Sequence, residues 1–147
     1  MHETAKLLGI PRIFGWEKHV YRLIPLLAVL LFASCNNWDR LTSEQKTIGN
    51  ILQIQRAESR FRQLHGRFGS LRELGPTNDN LIERGIASGV SSGYRIAIVN
   101  RGDAYAVIAR PLNWGRDGRR SFYSDQTGVI RQNWTDRAAN QESDVLK

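Results

Sequence analysis

Tyr94-Arg-Ile-Ala-Ile-Val-Asn-Arg-Gly-Asp-Ala-Tyr-Ala-Val-Ile-Ala-Arg-Pro111 reads with a period of two on either side of a turn. Tyr94, Ile96 and Ile98 alternate with Arg95, Ala97 and Val99, and Tyr105, Val107 and Ala109 repeat the pattern, which puts one set on each face of a pleated strand. Asn100-Arg-Gly-Asp103 has turn chemistry, so the stretch predicts an antiparallel hairpin closed off by Pro111. Arg101-Gly-Asp103 also matches an adhesion tripeptide, but its place in the turn already accounts for it. Downstream, Phe122-Tyr-Ser124 and Val129-Ile-Arg131 flank the turn signal Asp125-Gln-Thr-Gly128 and add a further pair of short strands. Past Trp134 the chain is polar and without period, which predicts a flexible tail over 133–147.

Upstream the period changes to that of a helix. Ile51, Ile54, Ala57, Phe61, Leu64 and Phe68 recur at steps of three and four along one stripe. Thr42-x-x-Gln45 has the form of a capping box and predicts the start of that helix, while Gly66 and Gly69 predict its end near Phe68. Arg56, Arg60 and Arg67 fall on one polar, basic face, and Glu58 and Arg62 are spaced for an i,i+4 ion pair. Ser70-Leu-Arg-Glu73 is a second capping box, stopped by Gly75-Pro76. Between Thr77 and Ser92 the pattern is irregular, with Leu81, Ile82 and Ile86 as plugs for the core. An amphipathic helix followed by a meander of short strands buries its stripe on one sheet face. The expected class is α+β, an N-terminal helix packed on a small antiparallel sheet of three to four strands.

The beginning of the chain has a different character. Leu23-Ile-Pro-Leu-Leu-Ala-Val-Leu-Leu-Phe-Ala-Ser34 is a twelve-residue apolar run preceded by four basic residues and followed by Cys35, the sole cysteine. That layout predicts an export leader, because a run of this length falls short of the roughly 20 residues that a spanning helix needs. With one cysteine there is no disulfide within the chain. The first nineteen residues make a long n-region, so the start of translation is open between Met1 and a point near Val20. The organisation expected is a leader over 1–34, a tether over 35–46, a domain over 47–132 and the tail. Residues 35–147 carry seventeen Lys and Arg against twelve Asp and Glu, a net +5 that favours anionic partners without choosing among them.

Phe32-Ala33-Ser34-Cys35 resembles the lipobox of bacterial lipoproteins, which implies lipid attachment at Cys35 and a partner in the membrane lipid. Asn36 rather than Asp after the cysteine implies, by the same resemblance, the outer membrane; an uncleaved single pass of the inner membrane is the alternative. Ile51-Leu-Gln-Ile-Gln-Arg-Ala-Glu-Ser-Arg-Phe61 with Phe68-Gly-Ser-Leu-Arg-Glu-Leu74 resembles the helix and following turn of type IV pilins and type II secretion pseudopilins. Gly93-Tyr94-Arg-Ile-Ala-Ile98, Tyr105-Ala-Val-Ile-Ala-Arg-Pro111 and Gly118-Arg-Arg-Ser-Phe-Tyr-Ser-Asp-Gln-Thr-Gly-Val-Ile-Arg131 are similar to their strands. The apolar run lacks the Gly, Phe and nearby Glu with which pilin helices begin. Together the resemblances imply a pilin-like head behind a lipid anchor, serving as an accessory or minor component of a pilus or secretion apparatus.

Chemistry-bearing residues are few. His2 and His19 lie in the leader, and His65 has no second His or Cys at metal-ligand spacing, so neither a metal, a cofactor nor catalysis is expected. His65 suits a helix end. Arg116, Arg119 and Arg120 with Trp114, Phe122 and Tyr123 form the densest functional-looking cluster. Guanidinium forks grip phosphate and rings stack on bases or sugars, so an anionic ligand, nucleic acid or an envelope polymer, is the second functional reading. Gly115 and Gly118 are read as turn residues of that loop.

Overall fold

A purely antiparallel sheet forms from consecutive elements, as short connections dictate. The computed structural model describes the backbone of residues 17–147 and the side chains of residue 40 and of residues 42–147. Helix α1 (Glu17–His65) precedes two single-turn helices, α2 (Leu71–Leu74) and α3 (Arg84–Ala87). Strands β1 (Val90–Ser91), β2 (Tyr94–Arg101), β3 (Ala104–Pro111), β4 (Ser121–Asp125), β5 (Ile130–Asn133) and β6 (Asp144–Val145) then lie side by side in chain order. The chain divides into two units, Met1–Cys35 and Asn36–Lys147, and the sheet belongs to the second. Among the described residues no helix is long and apolar enough to cross a membrane.

The class α+β holds, but the sheet has six strands and not three to four. The two additional strands are two residues long, too short for any period to show. β1 is joined to β2 by Ser92-Gly93, both at positive φ, the geometry of a type I′ hairpin turn. β6 pairs with β5 through Arg131↔Val145 and Gln132↔Asp144. The central hairpin has the predicted faces. Its pairing runs from Tyr94↔Pro111 to Arg101↔Ala104, with Gly102 at positive φ in a two-residue turn.

The segment expected to be a loose tail is folded back. Ser121 Oγ donates to the Arg137 carbonyl at 2.6 Å, and the Leu146 N–H donates to the Ile130 carbonyl at 2.9 Å. Ala139 is buried. This return covers the second face of β4, which is why Ser121 and Asp125 are buried alongside Phe122 and Ser124. A mostly polar sequence suffices because Ala139 and Leu146 supply the apolar contacts, while backbone groups and the local turn bonds of Asn140 and Ser143 hold the rest of the segment.

Helix α1 does not begin at Thr42. It passes through 35–46, so the capping box read there is interior helix, whereas the Ser70–Glu73 box caps α2 with both reciprocal bonds made. α1 ends at His65, with Gly66 at φ +72° and its N–H donating to the Arg62 carbonyl. The stripe that packs on the sheet is Glu44, Thr47, Ile51, Ile54, Glu58 and Phe61, at steps of three and four. It meets Tyr94, Ile96, Tyr105, Val107, Ala109 and Phe122, with Phe68, Leu74, Ile82 and Ile86 closing the sides. Leu64, read as part of the stripe, lies in the last turn of the helix and is 54 % exposed.

Removing residues 135–147 is expected to cost about 2 kcal/mol and to lower the melting temperature by about 10 °C. Thermal denaturation followed by circular dichroism measures it, and an unchanged midpoint would mean that the return segment contributes nothing to the fold.

Candidate functional site

Two acids on the buried stripe of α1 organise the polar groups of the domain. Glu44 sits where α1 meets the loop between β3 and β4. Its Oε1 accepts the Arg119 N–H at 2.8 Å, and its Oε2 accepts from Arg120 Nε at 2.8 Å and Nη2 at 2.7 Å. Arg120 is therefore not open to a ligand. Its remaining fork donates to Gln132 at 2.9 Å, and its guanidinium lies 5.0 Å from the Trp134 ring and 5.5 Å from the Phe122 ring. The Tyr94 hydroxyl donates to the Arg120 carbonyl at 2.8 Å, and burial pushes that phenol upward from its ordinary pKa.

The rest of the arginine loop divides. Arg116 pairs with Asp117 at 3.1 Å while its side chain stays 75 % exposed. Asp117 also accepts from the N–H and the amide of Asn113; these bonds, with Arg116, hold its carboxyl below the usual range. Arg119 is exposed and its guanidinium has no partner among the described residues. Trp114 is half-buried, bridged to Gly118. Gly115 is a turn residue at φ +82°, but Gly118 is glycine for another reason: a Cβ there would collide with the Tyr94 hydroxyl. Arg40 Nη1 donates to the Gly115 carbonyl at 3.0 Å, a second tie from α1 to this loop.

At the other end of α1, Glu58 is fully buried, not half of a surface pair with Arg62. Arg62 reaches Asp103 at 3.9 Å and lies over the Phe68 ring. Glu58 Oε2 accepts the Gly69 N–H at 2.8 Å, and the Gly69 carbonyl accepts from Asn100 Nδ2 at 2.9 Å. One residue thus joins α1 to β2. Glu58 Oε1 has no hydrogen-bond partner among the described residues. Burial drives the Glu58 pKa from 4.5 to about 7; Glu73 adds to the rise, and the Gly69 N–H and Arg67 oppose it.

The basic face is smaller than the spacing suggested. Arg56 and Arg60 are exposed on α1, but Arg67 lies beyond the helix end and pairs with Glu73 at 2.6 Å. That bond, with those from Ser70, lowers the Glu73 carboxyl to about 2. His65 occupies the last turn of α1, with Nε2 at 2.7 Å from Asp79. A groove of about 310 Å³ lies between the β2–β3 turn, Tyr123, Asp125 and residues 139–141. Its one buried acid, Asp125, is occupied by Thr127 and the Tyr123 hydroxyl. Among the described residues no group of three His, Cys, Asp or Glu could hold a metal ion. The Cys35 side chain lies outside the described residues. Comparison with protein-family models, with curated proteins and with solved structures returned no match.

Glu44→Ala is expected to cost about 3 kcal/mol, since it leaves Arg120 buried without its counter-ion. Chemical denaturation of Glu44→Ala, Arg120→Met and the double variant gives the coupling, and additive losses would show that the pair does not act as a unit. Glu58 gives a pH signature. Its folded-state pKa stands above its ordinary value, so the folded chain keeps a proton that the unfolded chain has released between pH 4.5 and about 7. Stability attributable to Glu58 therefore falls as pH rises through that window, by about 3 kcal/mol, and is level above it. Urea midpoints of the wild type and Glu58→Gln at pH 5 and pH 8 test this, with the wild-type difference expected to shrink in the variant.

Proposed function

We propose that this protein is a non-enzymatic, lipid-anchored component of the bacterial cell envelope, attached through Cys35 and serving as an accessory or minor component of a type IV pilus or type II secretion apparatus. The observation that carries the reading is the use made of the polar side chains around α1. Glu44, Arg120, Glu58, Asn100 and Gln55 are spent on fastening the helix to the sheet and its loops, a use of polar side chains that supports reading the domain as a scaffold. The twelve-residue run ending at Cys35 supplies the anchor by its likeness to a lipobox, and the resemblance of the helix and strand sequences to pilins and pseudopilins supplies the apparatus. Stable attachment needs more than one acyl chain, and a diacylglycerol thiol supplies two.

The reading is tested on protein extracted from its native membrane. The N-terminal peptide should begin at Cys35 and carry lipid, and a Cys35→Ala variant should lose both the modification and the membrane fraction. Cross-linking in intact envelopes should join the domain to an identified pilus or secretion component. An intact leader with a free thiol would reject the lipid anchor in favour of a single-pass protein, and a lipidated chain that cross-links to no such component would reject the apparatus.

A further inference from the structure

The end of the sheet at which α1 docks through Arg40 and Glu44 brings an exposed tryptophan and leucine together with two exposed arginines. Strand register fixes its membership. Tyr94 pairs with Pro111, Ala109 with Phe122 and Ser121 with Asn133, so the residues just past these, Leu112, Arg119 and Trp134, gather at one end. The Leu112 N–H is held there by the Gly93 carbonyl, and the loop that comes next is held by Arg40 and Glu44. Trp134 is 60 % exposed and Leu112 43 % exposed, although each is large enough to reward burial. Beside them Arg119 has no side-chain partner among the described residues, and Arg116 is largely in solvent. The opposite end carries the β2–β3 turn, where the exposed Asp103 pairs with Arg62 at 3.9 Å, while the acid that follows Trp134, Asp136, pairs with Arg110 at 3.3 Å.

Indole rings that are apolar on one side and wet on the other are favoured at the boundary between lipid and water, and nearby arginines are drawn to anionic headgroups. In the sequence Cys35, the lipid-bearing residue of the anchor reading, is five positions before Arg40, and Trp38 stands between them. Three of the four tryptophans of the chain, Trp38, Trp114 and Trp134, thus belong to the segment or the loops around Arg40. We propose that this end of the domain is a membrane-contact surface, in which Trp114, Trp134 and Leu112 lie at the headgroup level of an anionic phospholipid bilayer while Arg116 and Arg119 bind its phosphates. The inference rests on the lipid-anchor reading and adds to it an orientation: the domain rests on the bilayer by its Trp134 end and holds the Asp103 turn away.

The test uses the lipidated chain that begins at Cys35, reconstituted in vesicles of phosphatidylcholine, with or without phosphatidylglycerol, and with Trp134 as the single tryptophan after Trp38 and Trp114 are changed to Phe. Brominated lipid should quench Trp134 in the anionic vesicles, where its emission should also be blue-shifted. High salt or Arg116→Gln with Arg119→Gln should return its emission to the neutral-vesicle value. Arg56→Gln with Arg60→Gln, on the exposed face of α1, should change nothing. A nitroxide on Leu112→Cys, in a chain that keeps all its tryptophans, should give the same interfacial depth and guards against loss of fold in the Phe variants. Trp134 and the nitroxide both remaining in water, on a chain that floats with the vesicles and carries lipid at Cys35, would overturn the contact surface and leave the anchor standing. Equal quenching with and without anionic lipid would also overturn it, as would binding of duplex DNA lost in the Arg116 and Arg119 variants without lipid quenching. A chain that fails to float and lacks lipid at Cys35 would overturn the anchor, and the orientation with it.

Discussion

The carboxylate of Glu44 is the point on which the polar architecture of the domain turns. It takes three donors from two consecutive residues, the Arg119 N–H and two nitrogens of Arg120. A charge removed from water in this way is tolerated when its lone pairs are met by donors of opposite charge. The bond set does more than neutralise. By fixing Arg120 it fixes a guanidinium plane against which Trp134 and Phe122 lie, a carbonyl that receives the Tyr94 hydroxyl, and a donor to Gln132 on β5. α1, the arginine loop, β2, β4 and β5 are thereby referred to one another through a single ion pair.

The second buried acid works differently. Glu58 has one oxygen on the Gly69 N–H and the other without a partner among the described residues, so its ionised form is undercompensated where that of Glu44 is not. Yet the same bond holds the chain as it leaves α1, and the Gly69 carbonyl passes the connection on to Asn100 of β2. Glycine is needed there for room, since a Cβ would press on Phe61 and Leu74 at 3.2 Å. The two acids therefore fasten the helix near both ends of the sheet, one by a saturated charge pair and one by a marginal contact whose protonation state sets its strength.

Much of this was legible in the sequence, and the reasons for the rest are specific. The period of two in 94–111 located the central hairpin because both of its strands are long enough to alternate, and the Ser70–Glu73 box located α2 because its two bonds are local. β1 and β6 escaped because a two-residue strand has no period, and the segment that covers β4 does so with the Arg137 carbonyl and the isolated apolar residues Ala139 and Leu146, which show none either. The helix stripe was half legible. Ile51, Ile54, Ala57 and Phe61 were apparent, but the spacing 44, 47, 51, 54, 58, 61 also runs through Glu44, Thr47 and Glu58, which hydropathy assigns to solvent. An acid on the apolar phase of a helix was the available signal, and reading Glu58 as a partner for Arg62 concealed it. The arginine cluster was located correctly as a neighbourhood and misjudged as a unit, because nothing in Gly118-Arg-Arg120 says that one of the two arginines turns inward to meet an acid 76 residues away.

That inward turn has a consequence for the surface of the molecule. Over the part of α1 whose side chains are described, from Thr42 to His65, both acids, Glu44 and Glu58, are buried, whereas Lys46, Arg56, Arg60 and Arg62 face solvent. A net charge of +5 over residues 35–147 would be ordinary if evenly mixed with acids. Here the folding of the helix sorts it, placing both acids of this stretch in the interior, Glu44 against Arg120, and leaving the exposed charges of its outer face all basic. The basic character of that outer face is thus a by-product of how the helix is fastened: the acids that hold it to the sheet are the ones that would otherwise have stood among its exposed arginines.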